Sequence, residues 1–248
     1  MKYIGIIPAR YASTRFPGKP LADIGGKPMI QRVYEQVCGC LDEVCVATDD
    51  ERIFQAVGAF GGKVVMTSTA HRSGTDRCAE AMGKVPGQFD VIVNIQGDEP
   101  FVQPLQIEQL KACFDSPQVE IATLVRPFRP EEGWAALQNP NSPKVVLNRC
   151  GEAVYFSRSV IPYLRGIPEE QWPAKHVFYK HIGIYAYRRD VLAALASLPQ
   201  MPLETAESLE QLRWLENGYR IRTAVTEVEN LAVDTPEDLQ RILRSGLL

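Results

Sequence analysis

Short Val- and Ile-rich runs separated by helix-like patterns are the feature that most limits what this chain can fold into. Ile4-Gly-Ile-Ile opens the series, and residues 43–48, 63–66 and 90–95 follow, each bounded by turn or polar residues. Between the runs, Ile30, Val33, Tyr34 and Val37 recur at helical spacing behind Pro28, a residue suited to a helix's first position. Asp50 is placed to cap a helix carrying Ile53, Phe54 and Val57, and Ser73 or Thr75 to cap one carrying Cys78, Ala79 and Met82. Strand and helix alternating in this way predict an α/β fold whose mostly parallel sheet is covered on both faces. Ligands of such sheets sit beyond the carboxyl ends of the strands.

After about residue 117 the rhythm changes. Residues 119–126, 145–148, 153–156 and 181–187 predict longer, partly antiparallel strands. Residues 161–177 hold Pro162, Pro168, Pro173 and Trp172, which predicts an excursion from the core serving as a lid or a subunit contact. A helix over 206–216, a strand over 219–225 and a helix over 236–243 complete the chain.

Bulk properties remove several function classes. A formal net charge of -3 lacks the basic field of a general nucleic-acid binder. No apolar run approaches the roughly 20 residues that span a bilayer, so no membrane insertion is expected. Met1-Lys2-Tyr3 runs straight into the first strand without a signal-peptide pattern, and the expected location is cytoplasmic. The six cysteines include no C-x-x-C and the three histidines no H-E-x-x-H, so reduced thiols are expected and a structural zinc site is not.

Chemistry concentrates where the first strand ends. Pro8-Ala-Arg10-Tyr-Ala-Ser-Thr-Arg15-Phe-Pro-Gly18-Lys19 brings three cations and small residues to one loop. Gly18 and its small neighbours let backbone N–H groups approach an anion, while Arg10 and Arg15 offer planar forks and Lys19 a point charge. The pattern is neither a P-loop, since Pro20 stands where Ser or Thr is required, nor a dinucleotide fingerprint. A solvated loop with scattered cations would look similar on composition alone.

Two acidic positions add to it. The run at 90–95 ends in Gln96-Gly97-Asp98-Glu99, which puts Asp98 at the ligand edge beside the cationic loop. A carboxylate next to phosphates points to Mg²⁺ between them, although Gly-Asp is also an ordinary turn. Asp234, before Thr235-Pro236, is the second candidate, with helix capping as its other reading.

These residues together resemble the 3-deoxy-manno-octulosonate (KDO) cytidylyltransferases, or CMP-KDO synthetases. The resemblance is carried by residues 7–21, 71–77 (His-Arg-Ser-Gly-Thr-Asp-Arg), 94–100, 180–188, 209–218 and 233–239, in order along nearly the whole chain. Phe16 stands where the family has Leu. The resemblance implies a nucleotide-diphospho-sugar transferase fold, with a mostly parallel Rossmann-like sheet and a smaller mixed substrate and dimerisation lobe. A nucleotide-binding core would take about 1–117 and 219–248, and the lobe about 118–218. It implies the Mg²⁺-dependent reaction CTP + KDO → CMP-KDO + pyrophosphate, feeding lipopolysaccharide biosynthesis, in a homodimer. By residue, Arg10, Arg15 and Lys19 would hold the triphosphate. Pro8, Ala9, Arg72, Ser73, Gly74 and Arg77 would shape the rest of the nucleotide pocket. Asp98 and Asp234 would bind Mg²⁺ and, with Lys19 and Arg10, form the catalytic set. Gln96, Arg158, His181, Tyr185, Glu210 and Gln211 would surround KDO.

Two other readings compete. A cytidylyltransferase acting on a sialic acid would share the cationic loop and differ in the sugar pocket. A non-catalytic nucleotide-binding module would need the cations but not two separated carboxylates.

Overall fold

The computed structural model describes residues 1–12, 16–229, 232–233 and 235–244. In chain order its elements are β1 (Tyr3–Ala9), α1 (Met29–Val37), β2 (Glu43–Thr48), α2 (Glu51–Ala59), β3 (Val64–Met66), α3 (Gly74–Lys84), β4 (Val91–Asn94) and α4 (Pro104–Cys113). There follow β5 (Ile121–Pro127), α5 (Gly133–Leu137), β6 (Lys144–Leu147), β7 (Ala153–Ser157), α6 (Trp172–Lys175), β8 (Tyr179–Arg188) and α7 (Arg189–Ala196). The chain closes with α8 (Pro202–Glu207), α9 (Gln211–Glu216), β9 (Ile221–Val225) and α10 (Pro236–Arg244). Two compact units result: one of residues 1–108, 186–196 and 230 onward, the other of 109–185 and 197–229.

In the first unit β3, β2, β1 and β4 lie side by side, all parallel, with Ile4 opposite Glu43 and Ile92, and Val46 opposite Val64. Neighbouring residues of a strand point to opposite faces. Ile6 and Ile7, like Ile92 and Val93, are all fully buried, so both faces of this sheet are covered, as a parallel sheet requires. Asp50 caps α2 by accepting from the Arg52 N–H, and Ser73 caps α3 by accepting from the Asp76 N–H. Pro28 stands one residue earlier than expected, at the cap of α1 itself. Ile24, Met29, Val233, Leu239 and Ile242 form a further apolar cluster that anchors α10.

The second unit mixes strand directions. β5 runs parallel to β9, with Ile121 opposite Ile221, while β6 is antiparallel to both β7 and β8. The strand around 219–225 therefore joins the second unit, where the sequence placed it with the nucleotide core. The segment 161–177 is not an exposed apolar arm. Its Trp172 is 2% exposed and packs with Phe128, Leu137 and Phe178, its indole N–H donating to the Ile167 carbonyl at 2.9 Å. Trp134 meets Trp172 edge-on at 5.4 Å and Phe178 stacks at 6.2 Å. Of the aromatic residues expected at a subunit contact, Tyr163 alone is exposed. The single helix expected over 206–216 is two, α8 and α9, because Ser208 adopts a left-handed conformation with φ 51° that no helix can continue through.

Candidate active site

At the carboxyl ends of β1 and β4 the first unit encloses a cavity of about 240 Å³. Pro8, Ala9 and Arg10 line it from the end of β1, and Lys19 and Pro20 from the turn beyond. His71, Arg72, Ser73, Gly74 and Arg77 contribute from the start of α3, and Gln96, Gly97 and Asp98 from the loop after β4. Every nucleotide-site residue expected from the sequence lines this one cavity, save Arg15, which lies outside the described residues.

Local geometry explains why these segments meet. The loop after β1 closes on itself, with the Gly18 N–H donating to the Tyr11 carbonyl at 2.9 Å. Gly18 has φ 72°, a conformation open to glycine, and turns the chain so that Lys19 begins a 3-10 turn facing the cavity. Arg52 lies over the Tyr11 ring, its guanidinium carbon 3.3 Å from the centroid, and so props the loop from outside. Gly97 is required by close approach, since a Cβ there would sit 2.9 Å from the Pro8 carbonyl oxygen.

The charges are arranged with a division of labour. Lys19 Nζ donates to Asp98 Oδ2 at 2.7 Å within the cavity. Arg77, 3% exposed, is committed to its own chain: one nitrogen meets Asp49 at 2.7 Å, another Thr67 Oγ1 at 2.5 Å. It supports the wall of the cavity more than it offers a free fork. Arg10 and Arg72 are exposed and line the same cavity. Beneath Gly74 lies Asn94, buried, its Oδ1 without a hydrogen-bond partner among the described residues.

A divalent cation suits the Asp98 edge of this cavity. Mg²⁺ binds through one or two carboxylates completed by phosphate oxygens and water, and Asp98 supplies one such carboxylate among cation-lined walls. The Asp98 carbonyl accepts from the Val233 N–H at 2.9 Å, which ties the loop to the segment that leads into α10. Asp234 itself lies outside the described residues. Its competing role is filled by Thr235, whose Oγ1 accepts from the Asp238 N–H while Asp238 accepts from the Thr235 N–H.

The sugar-site candidates divide between the units, Gln96 in the first and the others in the second. There, aromatic rings form a ladder: Phe156 to His181 at 5.0 Å, His181 to Tyr185 at 5.2 Å, Tyr185 to Trp214 at 5.0 Å. Trp214 belongs to α9, the helix that Glu210 and Gln211 begin. The His181 Nε2 lies 3.1 Å from Thr123 Oγ1, a hydroxyl that also lies within hydrogen-bond reach of the Ile182 carbonyl at 3.1 Å and the Ile184 carbonyl at 2.9 Å. Loss of water contact pushes this histidine's pKa down to about 3, which keeps it neutral. Gln211 is 4% exposed and its Nε2 has no partner among the described residues, an amide donor awaiting an acceptor.

Arg158 is tied to its own chain. Its guanidinium donates to the carbonyls of Glu207 at 2.6 Å, Pro140 at 2.9 Å and Ser208 at 3.2 Å, and its backbone N–H to the Glu207 carboxylate. It fastens the left-handed turn ahead of Glu210 and Gln211. Beside it Lys144, fully buried with Nζ donating to the Asn139 carbonyl, has its pKa lowered to about 8 by burial and then by Arg158, against an upward pull from Glu207. Sequence reasoning missed Lys144 and Thr123, and the roles of Asn94 and His71. His71 stood inside a motif already singled out, whereas Thr123 and Lys144 sit in strands with nothing local to mark them.

Comparison with known proteins decides the family. The cytidylyltransferase family model matches residues 4–221. A 3-deoxy-manno-octulosonate cytidylyltransferase of Phocaeicola vulgatus is 66% identical over 97% of this chain and 96% of its own length. The chain belongs to the cytidylyltransferase family, among the 3-deoxy-manno-octulosonate cytidylyltransferases. A more distant member, from Geobacter metallireducens, is 48% identical over 98% of this chain and 97% of its own. Among solved structures, a CMP:2-keto-3-deoxy-manno-octonic acid synthetase complexed with CTP superposes with a TM-score of 0.89 at 47% identity, covering 98% of both chains. A 4-diphosphocytidyl-2C-methyl-D-erythritol synthase from Anaerococcus prevotii, at 12% identity and TM-score 0.61 over 98% of this chain and 97% of its own, shares the cytidylyltransferase fold. Among the described residues, no helix is long and apolar enough to cross a membrane.

Proposed function

We propose that this cytidylyltransferase transfers CMP from CTP to the 2-hydroxyl of KDO, releasing pyrophosphate. The observation that carries the reading is the cavity at the ends of β1 and β4, in a chain whose close structural relative was solved with CTP. Arg10, Lys19 and Arg15 would hold the triphosphate, neutralising the charge that gathers on pyrophosphate as it leaves. The α3 amino end at Ser73 and Gly74, with Arg72 and the backbone of Pro8 and Ala9, would form the walls around the nucleoside. Asp98 and Asp234 would hold Mg²⁺, which when bound supplies charge neutralisation and makes a sugar hydroxyl more acidic. Lys19, now on Asp98, is the residue whose charge can pass to the phosphates when CTP arrives.

For KDO, Gln211 supplies a desolvated donor, and neutral His181 offers hydrogen bonding and ring packing without acid–base chemistry. Tyr185, Glu210 and Gln96 complete the proposed set, and Arg158 acts there by holding the 207–208 turn in place. A homodimer located in the cytoplasm, binding neither nucleic acid nor a membrane, fits the resemblance and the charge of -3. Pyrophosphate release from CTP and Mg²⁺ tests the reading. KDO should support it, N-acetylneuraminate and ATP should not, and omission of Mg²⁺ should stop it. A site that satisfies substrate hydroxyls penalises an analogue that leaves them unpaired. Equal turnover of both acid sugars would defeat the assignment, and nucleotide binding without turnover of either would favour a regulatory module.

A further inference from the structure

One face of α3 carries Arg77, Glu80 and Lys84, spaced so that a helix stacks them in a row. Each reaches the segment 66–71 that leads into the cavity wall. Lys84 Nζ donates to the Met66 carbonyl at 2.7 Å. Arg77 donates to Thr67 Oγ1 at 2.5 Å and to the Ser68 carbonyl at 3.4 Å. Glu80 Oε2 accepts from the Ser68 N–H at 2.9 Å and meets His71 Nε2, while Oε1 takes Lys84 Nζ at 2.6 Å. The segment then runs directly into His71, Arg72 and Ser73, which line the cavity, whereas Glu80 does not.

The Glu80 carboxylate lies outside the cavity lining and touches both the backbone of 66–71, at Ser68, and the side chain of cavity-lining His71. Lys84 and then the Ser68 N–H pull its pKa down to about 2, so it is an anion at any working pH and can only accept. An accept-only partner on Nε2 fixes the proton there and fixes the plane of the His71 ring. We propose that Glu80 is a positioning residue for the nucleotide: it holds the strap 66–71 on α3 and thereby sets the orientation of His71 and Arg72 before the nucleotide binds. This rests on reading the cavity as the nucleotide site. Without the Glu80 carboxylate the strap keeps its ties to Arg77 and Lys84, so the fold survives while the wall loosens. The cost then falls on ordering the site during binding, and not on the chemical step.

The test compares Glu80→Gln with the parent enzyme and with Arg72→Ala, which alters the wall itself. CTP affinity is measured by calorimetry, and steady-state kinetics are measured with CTP and KDO varied in turn. Glu80→Gln should weaken CTP binding and raise its KM on the order of 10-fold, the size expected from one lost charge-assisted hydrogen bond, with kcat and the KM for KDO within about 2-fold. Equal losses in kcat and in both KM values would mark a general loosening and overturn the proposal. Unchanged CTP affinity in Glu80→Gln, with weakened affinity in Arg72→Ala, would overturn the positioning role and leave the nucleotide site standing. Unchanged affinity in both would remove the nucleotide reading of the cavity, and the proposal with it. If Glu80→Gln fails to fold, Glu80→Asp keeps the charge and draws the carboxylate back from Ser68 and His71. It should give the same selective loss of CTP affinity, and unaltered affinity there overturns the proposal too.

Discussion

The two units hold their candidate ligand residues by different means. Around the cavity of the first, backbone turns and helix ends fix the positions: Gly18 and Gly97 set the loops, Ser73 starts α3, and Arg10 and Arg72 are exposed. In the second, the candidates are themselves part of the packing. Tyr185 is 7% and Gln211 4% exposed, and His181 is locked between Phe156 and Tyr185. Substitutions in the first site should therefore cost function at little cost in stability, while those in the second should disturb both.

The largest expected effect belongs to the second unit. Trp214→Ala removes a ring that is 1% exposed and packs on Tyr185, so a loss of about 3–5 kcal/mol in urea unfolding is predicted. A loss below about 1 kcal/mol would mean that the ladder is not structural. Next comes Asp98→Asn, predicted to lower turnover on the order of 10²-fold with an unchanged urea midpoint, because the amide keeps shape but lacks charge for a divalent cation. A well-folded variant with normal turnover and normal Mg²⁺ dependence would take Asp98 out of the metal site.

Gln211→Leu tests whether a buried residue can be kept for binding alone. Its Nε2 has no hydrogen-bond partner among the described residues, so replacing it with an apolar side chain of similar size should not lower stability. The KM for KDO should rise about 10-fold, and CTP affinity should be unaltered. A destabilised variant with a normal KM for KDO would reverse this account.

At neutral pH the effect that shows least is a pH dependence at His181, which grows only as the solution is acidified. Its folded pKa is near 3, against an ordinary value of about 6.5, so between these values the unfolded chain binds a proton that the folded chain does not. Stability from this group is thus complete above about pH 6.5 and declines as pH falls toward 3. His181→Gln should flatten the urea midpoint across that window, and an unchanged slope would show that other groups set the acid sensitivity.

What the sequence revealed follows from the same contrast. The strands of the first unit were legible to within two residues, since each hydrophobic run is contiguous and bounded by turn residues, and β2 coincides with the expected 43–48. The cavity was legible because its residues come in a few short stretches that lie at strand ends. Less could be read of the second unit. Thr123 and His181 are 58 positions apart, and nothing near either one announces the bond between them. Ser208 has no pattern that marks a left-handed turn, so α8 and α9 read as a single helix. Trp172, taken for an exposed contact among prolines, is buried by Trp134 and Phe178, whose proximity only tertiary packing supplies.

The most direct test of the central claim is a competition experiment. The enzyme is given CTP and Mg²⁺ with equal concentrations of KDO and N-acetylneuraminate, and pyrophosphate and every CMP-sugar are quantified together. The account predicts CMP-KDO and pyrophosphate in equal amounts, with CMP-N-acetylneuraminate at trace level. Comparable amounts of both CMP-sugars, or pyrophosphate formed without CMP-KDO, would contradict it.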